Sequence, residues 1–179
     1  MHAQHVQELK QLSDLDLRDC TPEAICARIS TIFHVKETEV ALLELRGHWL
    51  NFLFPVELIT AGAIPLSSSA VAARTAQTGK AELFNSFTEV THFSVFELVK
   101  LGNNGLDAQV IQKLMSAPVL STEEKIWGVI QVSRKAPNQS IAGPDFTPAD
   151  LQKLELAGAI VGRLMTRTRH FSRSWAGRD

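Results

Sequence analysis

Cys20 and Cys26 are the only two cysteines in the sequence, six residues apart near its start. A thiolate can attack sulfur or hold a metal. That spacing, without a second pair or neighbouring histidines, matches no zinc-ligand pattern. Read as residues, they are two free, buried or half-buried thiols in a reducing compartment. His92 stands among Thr91, Phe93 and Phe96. An imidazole there can hydrogen-bond a small molecule or ligate haem iron, and it can equally be a surface or internally satisfied side chain. No spacing proposes a Ser-His-Asp or paired-carboxylate arrangement. No catalytic residue or metal ligand is therefore assigned, and the cofactor is unknown.

The elements that must position these groups begin with a Leu-punctuated helix from residue 4 to about 19, with Val6, Leu9, Leu12 and Leu15 three apart. Its apolar stripe is narrow and needs a partner. Thr21 as cap, Pro22 at the first helical position and Glu23 against the dipole start a second helix, in which Ile25, Ile29, Ile32 and Phe33 recur at helical spacing. Two apolar runs, Val40 to Leu45 and Trp49 to Phe54, flank Arg46-Gly47-His48 as a β-hairpin. Ala61 to Leu66 reads as a short strand that Pro65 confines to an edge or a strand end. Ser67, Ser68 and Ser69 offer caps for the Ala-rich helix that Gly79 ends, and Ala81 to Phe84 is extended.

Residues 85 to 112 are the least regular stretch, with Val90, Phe93 and Phe96 at helical spacing before Gly102-Asn103-Asn104-Gly105. A second hairpin follows, Gln112 to Leu120 and Ile126 to Ser133 around Ser121 to Lys125, then a loop from Ala136 to Asp145. Thr147, Pro148 and Asp150 open the last helix, with Phe146 placed to staple on Leu151. If it runs to about His170 it is about 34 Å long. Gly158 and Gly162 within it each cost about 1 kcal/mol relative to alanine. Close approach of another helix and close packing on the protein's own sheet both explain them.

At 179 residues, 45% hydrophobic and 21% charged, the chain suits one domain with a helical extension. Eighteen basic residues against 19 acidic ones create no global field for nucleic acid or an anionic membrane. Neither is an expected partner. With no basic-then-apolar start and no run of about 18 apolar residues, a soluble, cytoplasmic protein is expected.

Three stretches in this order resemble the GAF domain family. They are Ile64-Pro65-Leu66 through Thr75-Ala76-Gln77-Thr78-Gly79-Lys80, Ser116-Ala117-Pro118-Val119-Leu120 into Ile126-Trp127-Gly128-Val129-Ile130-Gln131-Val132, and Phe146-Thr147-Pro148-Ala149-Asp150-Leu151. The resemblance implies an α+β sandwich, with a central antiparallel sheet of five or six strands, terminal helices on one face and short helices on the other. It divides the chain into an N-terminal helix over 1–19 that contacts a dimer partner, a GAF-like domain over 20–165 and a basic tail over 166–179.

The resemblance also places a ligand pocket between the sheet and the short helices. Ser69, Phe84, Phe87, Thr91, His92, Phe93, Phe96 and Met115 are the candidates to line it, although the phenylalanines could instead fill the core there. The terminal helices of such domains commonly form a dimer bundle, which makes Leu9, Leu12, Gly158, Gly162 and Met165 candidates for a homodimer or partner contact. The family's cyclic-nucleotide signature is missing. No cysteine stands where a bilin would attach, and both thiols fall on the side of the sheet away from the pocket, where family members that reduce free methionine sulfoxide do not hold theirs. The expected function is a non-catalytic sensor that binds an unidentified small molecule and signals through a dimer or a separate effector protein. An adaptor without ligand is the alternative, and thiol redox catalysis is the third reading. The basic tail, with Arg163, Arg167, Arg169, Arg173 and Arg178 against Asp179 alone, is a solvated helix end or a docking segment.

Overall fold

The structure, a computed structural model, describes residues 2–89 and 110–175. Helices α1 (His2–Ser13) and α2 (Pro22–Phe33) precede the hairpin of β1 (Val40–Arg46) and β2 (Trp49–Phe54). Short α3 (Val56–Ile59), β3 (Ala63–Pro65), α4 (Val71–Thr78) and β4 (Glu82–Phe84) follow. The long hairpin of β5 (Val110–Leu120) and β6 (Ile126–Ala136) leads into α5 (Pro148–Trp175).

Local chemistry explains most boundaries. The Ala24 N–H donates to Thr21 Oγ1 at 3.1 Å, and Pro22 needs no partner for an N–H it lacks. Gly79, at φ 65°, closes α4 in the left-handed conformation that a Cβ would disfavour. The N-cap position of α4 is Ala70, with no side-chain cap bond, and Ser68 Oγ accepts the Ala70 N–H at 3.4 Å. At α5 the exchange is reciprocal, Asp150 N–H to Thr147 Oγ1 at 3.1 Å and Thr147 N–H to Asp150 Oδ2 at 2.8 Å. The helix continues through Trp175, so the expected boundary at 165 falls inside one 28-residue helix about 42 Å long.

The six strands form one antiparallel sheet in the order β3-β2-β1-β6-β5-β4. Pro65 is on the edge strand, where a missing donor costs nothing. Each face has its own core. On one, Leu9 and Leu12 of α1, Ile25 and Ile29 of α2 and Leu154, Ala157 and Val161 of α5 bury Val40, Leu42, Met115, Ala117, Ile130 and Val132. On the other, Leu58 of α3 and Ala72, Ala73 and Ala76 of α4 pack on Leu43, Leu50, Phe52, Ile64 and Val129.

Four of the expected dimer contacts belong to this interior. Leu9 is 5% and Leu12 0% exposed, because they fill the layer between α1 and the sheet. A Cβ on Gly158 would stand 2.3 Å from the Pro118 carbonyl oxygen, and one on Gly162 1.7 Å from that of Leu120. The glycines let α5 lie directly on β5. Met165 is partly buried against the same core.

Candidate functional site

Strands β5 and β6 are buried on both sides, so every polar side chain on them requires a partner. Alternation sends Met115, Ala117, Ile130 and Val132 to the terminal helices and Leu114, Ser116, Gln131 and Ser133 to the face under α4. Ser116 and Gln131 are register partners, and Thr75 projects from α4 above them. A directed chain results. Gln131 Nε2 donates to Ser116 Oγ at 3.3 Å, Ser116 Oγ meets Thr75 Oγ1 at 2.8 Å, and Thr75 donates to the Val71 carbonyl at 3.0 Å. Thr75 has one hydroxyl proton, so the Ser116 hydroxyl must be the donor between them. Thr75 and Ser116 are 0% exposed, where an unpaired hydroxyl would cost about 1–3 kcal/mol.

Beside this chain, Ser133 Oγ donates to the Glu39 carbonyl at 3.1 Å. The Glu39 carboxylate, in the one-turn 3-10 helix Glu37–Glu39, accepts the Lys36 N–H at 2.8 Å and the Lys135 N–H at 2.7 Å. Lys135 Nζ turns back to the Thr38 carbonyl at 2.7 Å. Burial pulls the Lys135 ammonium below its ordinary range, and the Glu39 charge opposes that shift. Glu39, Gln131, Ser133 and Lys135 are the polar wall of a cleft whose apolar wall includes Phe52, Leu58, Ile111 and Leu114. Among the described residues the cleft holds about 30 Å³.

None of these polar residues was singled out from the sequence. The available signal was Gln131 and Ser133 alternating with Ile130 and Val132 in a strand apolar enough to be covered on both sides. Of the expected pocket residues, Phe84 and Phe87 stand edge to face with centroids 6.1 Å apart, in a small core with Val71, Ile111 and Leu114. Arg74 lies over the Phe84 ring at 5.7 Å and binds Glu82 at 2.8 Å. Ser69 is exposed just before α4. Met115 is on the wrong face for the pocket, because it pairs with Val132 and packs in the core of the terminal helices. Thr91, His92, Phe93 and Phe96 lie outside the described residues.

Both thiols occupy the core under the terminal helices, opposite the cleft. Burial raises each above the ordinary thiol range. At Cys26 the Glu23 and Glu37 charges add to the shift, and at Cys20 a hydrogen bond with Thr168 offsets part of it. In the native protein both should react with a disulfide reagent at pH 8 at least about tenfold more slowly than in urea. Because an unfolded thiol ionises first, the unfolded state binds fewer protons above pH ~8.5, and stability falls as pH rises. Cys26 should contribute about 1.4 kcal/mol per pH unit to that fall, measured as the difference in slope from Cys26→Ala. Equal slopes would contradict the burial assignment. Among the described residues, no group of three or more His, Cys, Asp or Glu is placed to hold a metal. No helix there is long and apolar enough to cross a membrane.

Solved structures share this arrangement over almost the whole chain. The GAF domain of an Acinetobacter phosphoenolpyruvate-protein phosphotransferase superposes with a TM-score of 0.67 at 13% identity, covering 95% of this chain and 98% of that one. The GAF domain of the corresponding Coxiella burnetii protein gives 0.66 at 5% identity, covering 94% of each. This chain has the GAF-domain fold. The fold also hosts catalysis, since free methionine-R-sulfoxide reductase from Neisseria meningitidis, solved in complex with its substrate, superposes at 0.61 with 13% identity, covering 93% of this chain and 88% of that one. No protein-family model and no curated protein sequence matches the chain. At these identities the GAF likeness is a statement about fold, and function must be argued from the residues.

Proposed function

We propose that this GAF-fold domain is a non-catalytic regulatory module that binds a small molecule against the α4 face of its sheet and passes the event to a separate protein. The observation that supports this reading is the polar wall of Glu39, Gln131, Ser133 and Lys135 facing Phe52, Leu58, Ile111 and Leu114 across the cleft. A few convergent polar groups among apolar walls are what orients a small ligand. Catalysis has no support from this face, which carries neither thiol, and both thiols are held protonated on the other.

The test is native mass spectrometry of the purified chain, followed by thermal shift across a metabolite panel. A retained mass or a shift, lost in Gln131→Leu while the fold persists, is the expected result. No retained mass and no shift would sink the ligand reading. A second reading, an adaptor that binds no ligand, is favoured by the size of the cleft. About 30 Å³ admits a water or two, whereas ligand pockets run from roughly 300 Å³ upward. Turnover of free methionine sulfoxide by the wild-type chain would overturn both readings.

A further inference from the structure

The outer side of the terminal-helix layer carries an apolar groove with a charge of one sign. Val6, Leu9, Lys10 and Ser13 of α1 face Leu156, Ala159, Ile160 and Arg163 of α5 across about 380 Å³. Each set is spaced i, i+3, i+4, i+7, so each helix lays one continuous stripe along the groove. Leu9 is its floor, at 5% exposure, while Val6 and Leu156 stand 66% and 55% exposed on its walls. Lys10 and Arg163 are the charged lining residues, and none of the lining is acidic. One turn further along α5, at i+4 from Arg163, exposed Arg167 continues the stripe.

We infer that this groove docks an amphipathic helix with acidic flanks from a partner protein. Two parallel apolar stripes with a trough between them fit the ridge of a third helix better than an extended strand, which needs a sheet edge to pair with. Cationic rims select acidic flanks. A second copy of this chain would offer the same lining, which carries two cations and no acidic residue, and so would not supply the acidic flanks that the rims select.

The probe is an 18-residue end-capped peptide with Leu at i, i+3, i+4, i+7 and onward and Glu at the flanking positions. Its counterpart has Lys for Glu. With the full chain in fluorescence anisotropy, the Glu peptide binds at least tenfold more tightly than the Lys peptide, and salt narrows the gap. Ile160→Glu weakens the Glu peptide at least tenfold, and Lys10→Glu with Arg163→Glu reverses the preference, with thermal melts confirming that each variant folds. The comparison of the two peptides on wild-type protein needs no variant. Equal affinity for both peptides, no binding of either, or an unchanged preference in the charge-reversed variant would overturn the proposal. So would a stable wild-type dimer by light scattering that Ile160→Glu makes monomeric, since a second copy would then occupy the groove. These outcomes are independent of whether a small molecule binds under α4.

Discussion

Gly162→Ala is expected to lower stability by about 3 kcal/mol, although helix propensity alone predicts a gain of about 1 kcal/mol. The steric effect wins because the new Cβ would sit 1.7 Å from the Leu120 carbonyl oxygen and 2.4 Å from its carbon. Both are backbone atoms of a strand held in the sheet by its pairing with β6, so neither can swing away as a side-chain tip would. The helix must lift, and Val161 and Leu164, both nearly sealed from solvent, would lose packing with it. A drop of roughly 6–12 °C in melting temperature is the corresponding observation for a chain this size. Gly158→Ala should behave alike, since its Cβ would meet the Pro118 oxygen at 2.3 Å. A melting temperature that stays level or rises would show that α5 does not lie directly on β5.

The second large effect is expected at Glu39. Its carboxylate, 8% exposed, is the acceptor for the Lys36 and Lys135 N–H groups at 2.8 and 2.7 Å, tying the turn before β1 to the end of β6. Hydrogen bonds to a charged group contribute about 1.5–3 kcal/mol each, and truncation would take that acceptor from both the Lys36 and the Lys135 N–H. Glu39→Ala should therefore cost about 3 kcal/mol, and Glu39→Gln, which keeps one acceptor, about half as much. Amide exchange would report it directly, with Lys36 and Lys135 losing protection while the middle of β6 keeps its own. Unchanged exchange at both amides would rule out the carboxylate as their partner.

Signals confined to a few neighbouring residues were legible without coordinates. Thr147, Pro148 and Asp150 announce the start of α5, and Pro65 announces an edge strand, because capping and donor loss are decided within one turn or one residue pair. Facing is decided by register, and there the sequence is ambiguous. A one-residue shift in a strand moves Met115 between a ligand pocket and the core of the terminal helices. The irregularity between Ile111 and Lys113 resets that parity where no composition cue marks it. Leu9, Leu12, Gly158 and Gly162 were similarly two-sided, since a stripe that needs a partner does not say whether the partner lies in the same chain. The polar row went unnoticed because Gln131 and Ser133 look solvent-facing until both sheet faces are seen to be covered. Half of the expected pocket residues, from Thr91 to Phe96, fall outside the described stretch.

Contact through bare backbone at Gly158 and Gly162 limits how α5 can move. Turning the helix about its long axis would bring Ala157, Val161 or another residue with a side chain against the β5 carbonyls, so axial rotation is sterically locked. Whatever docks on the outer stripe therefore acts on a lever with a fixed roll angle, and its load is delivered to the strand that carries Ser116.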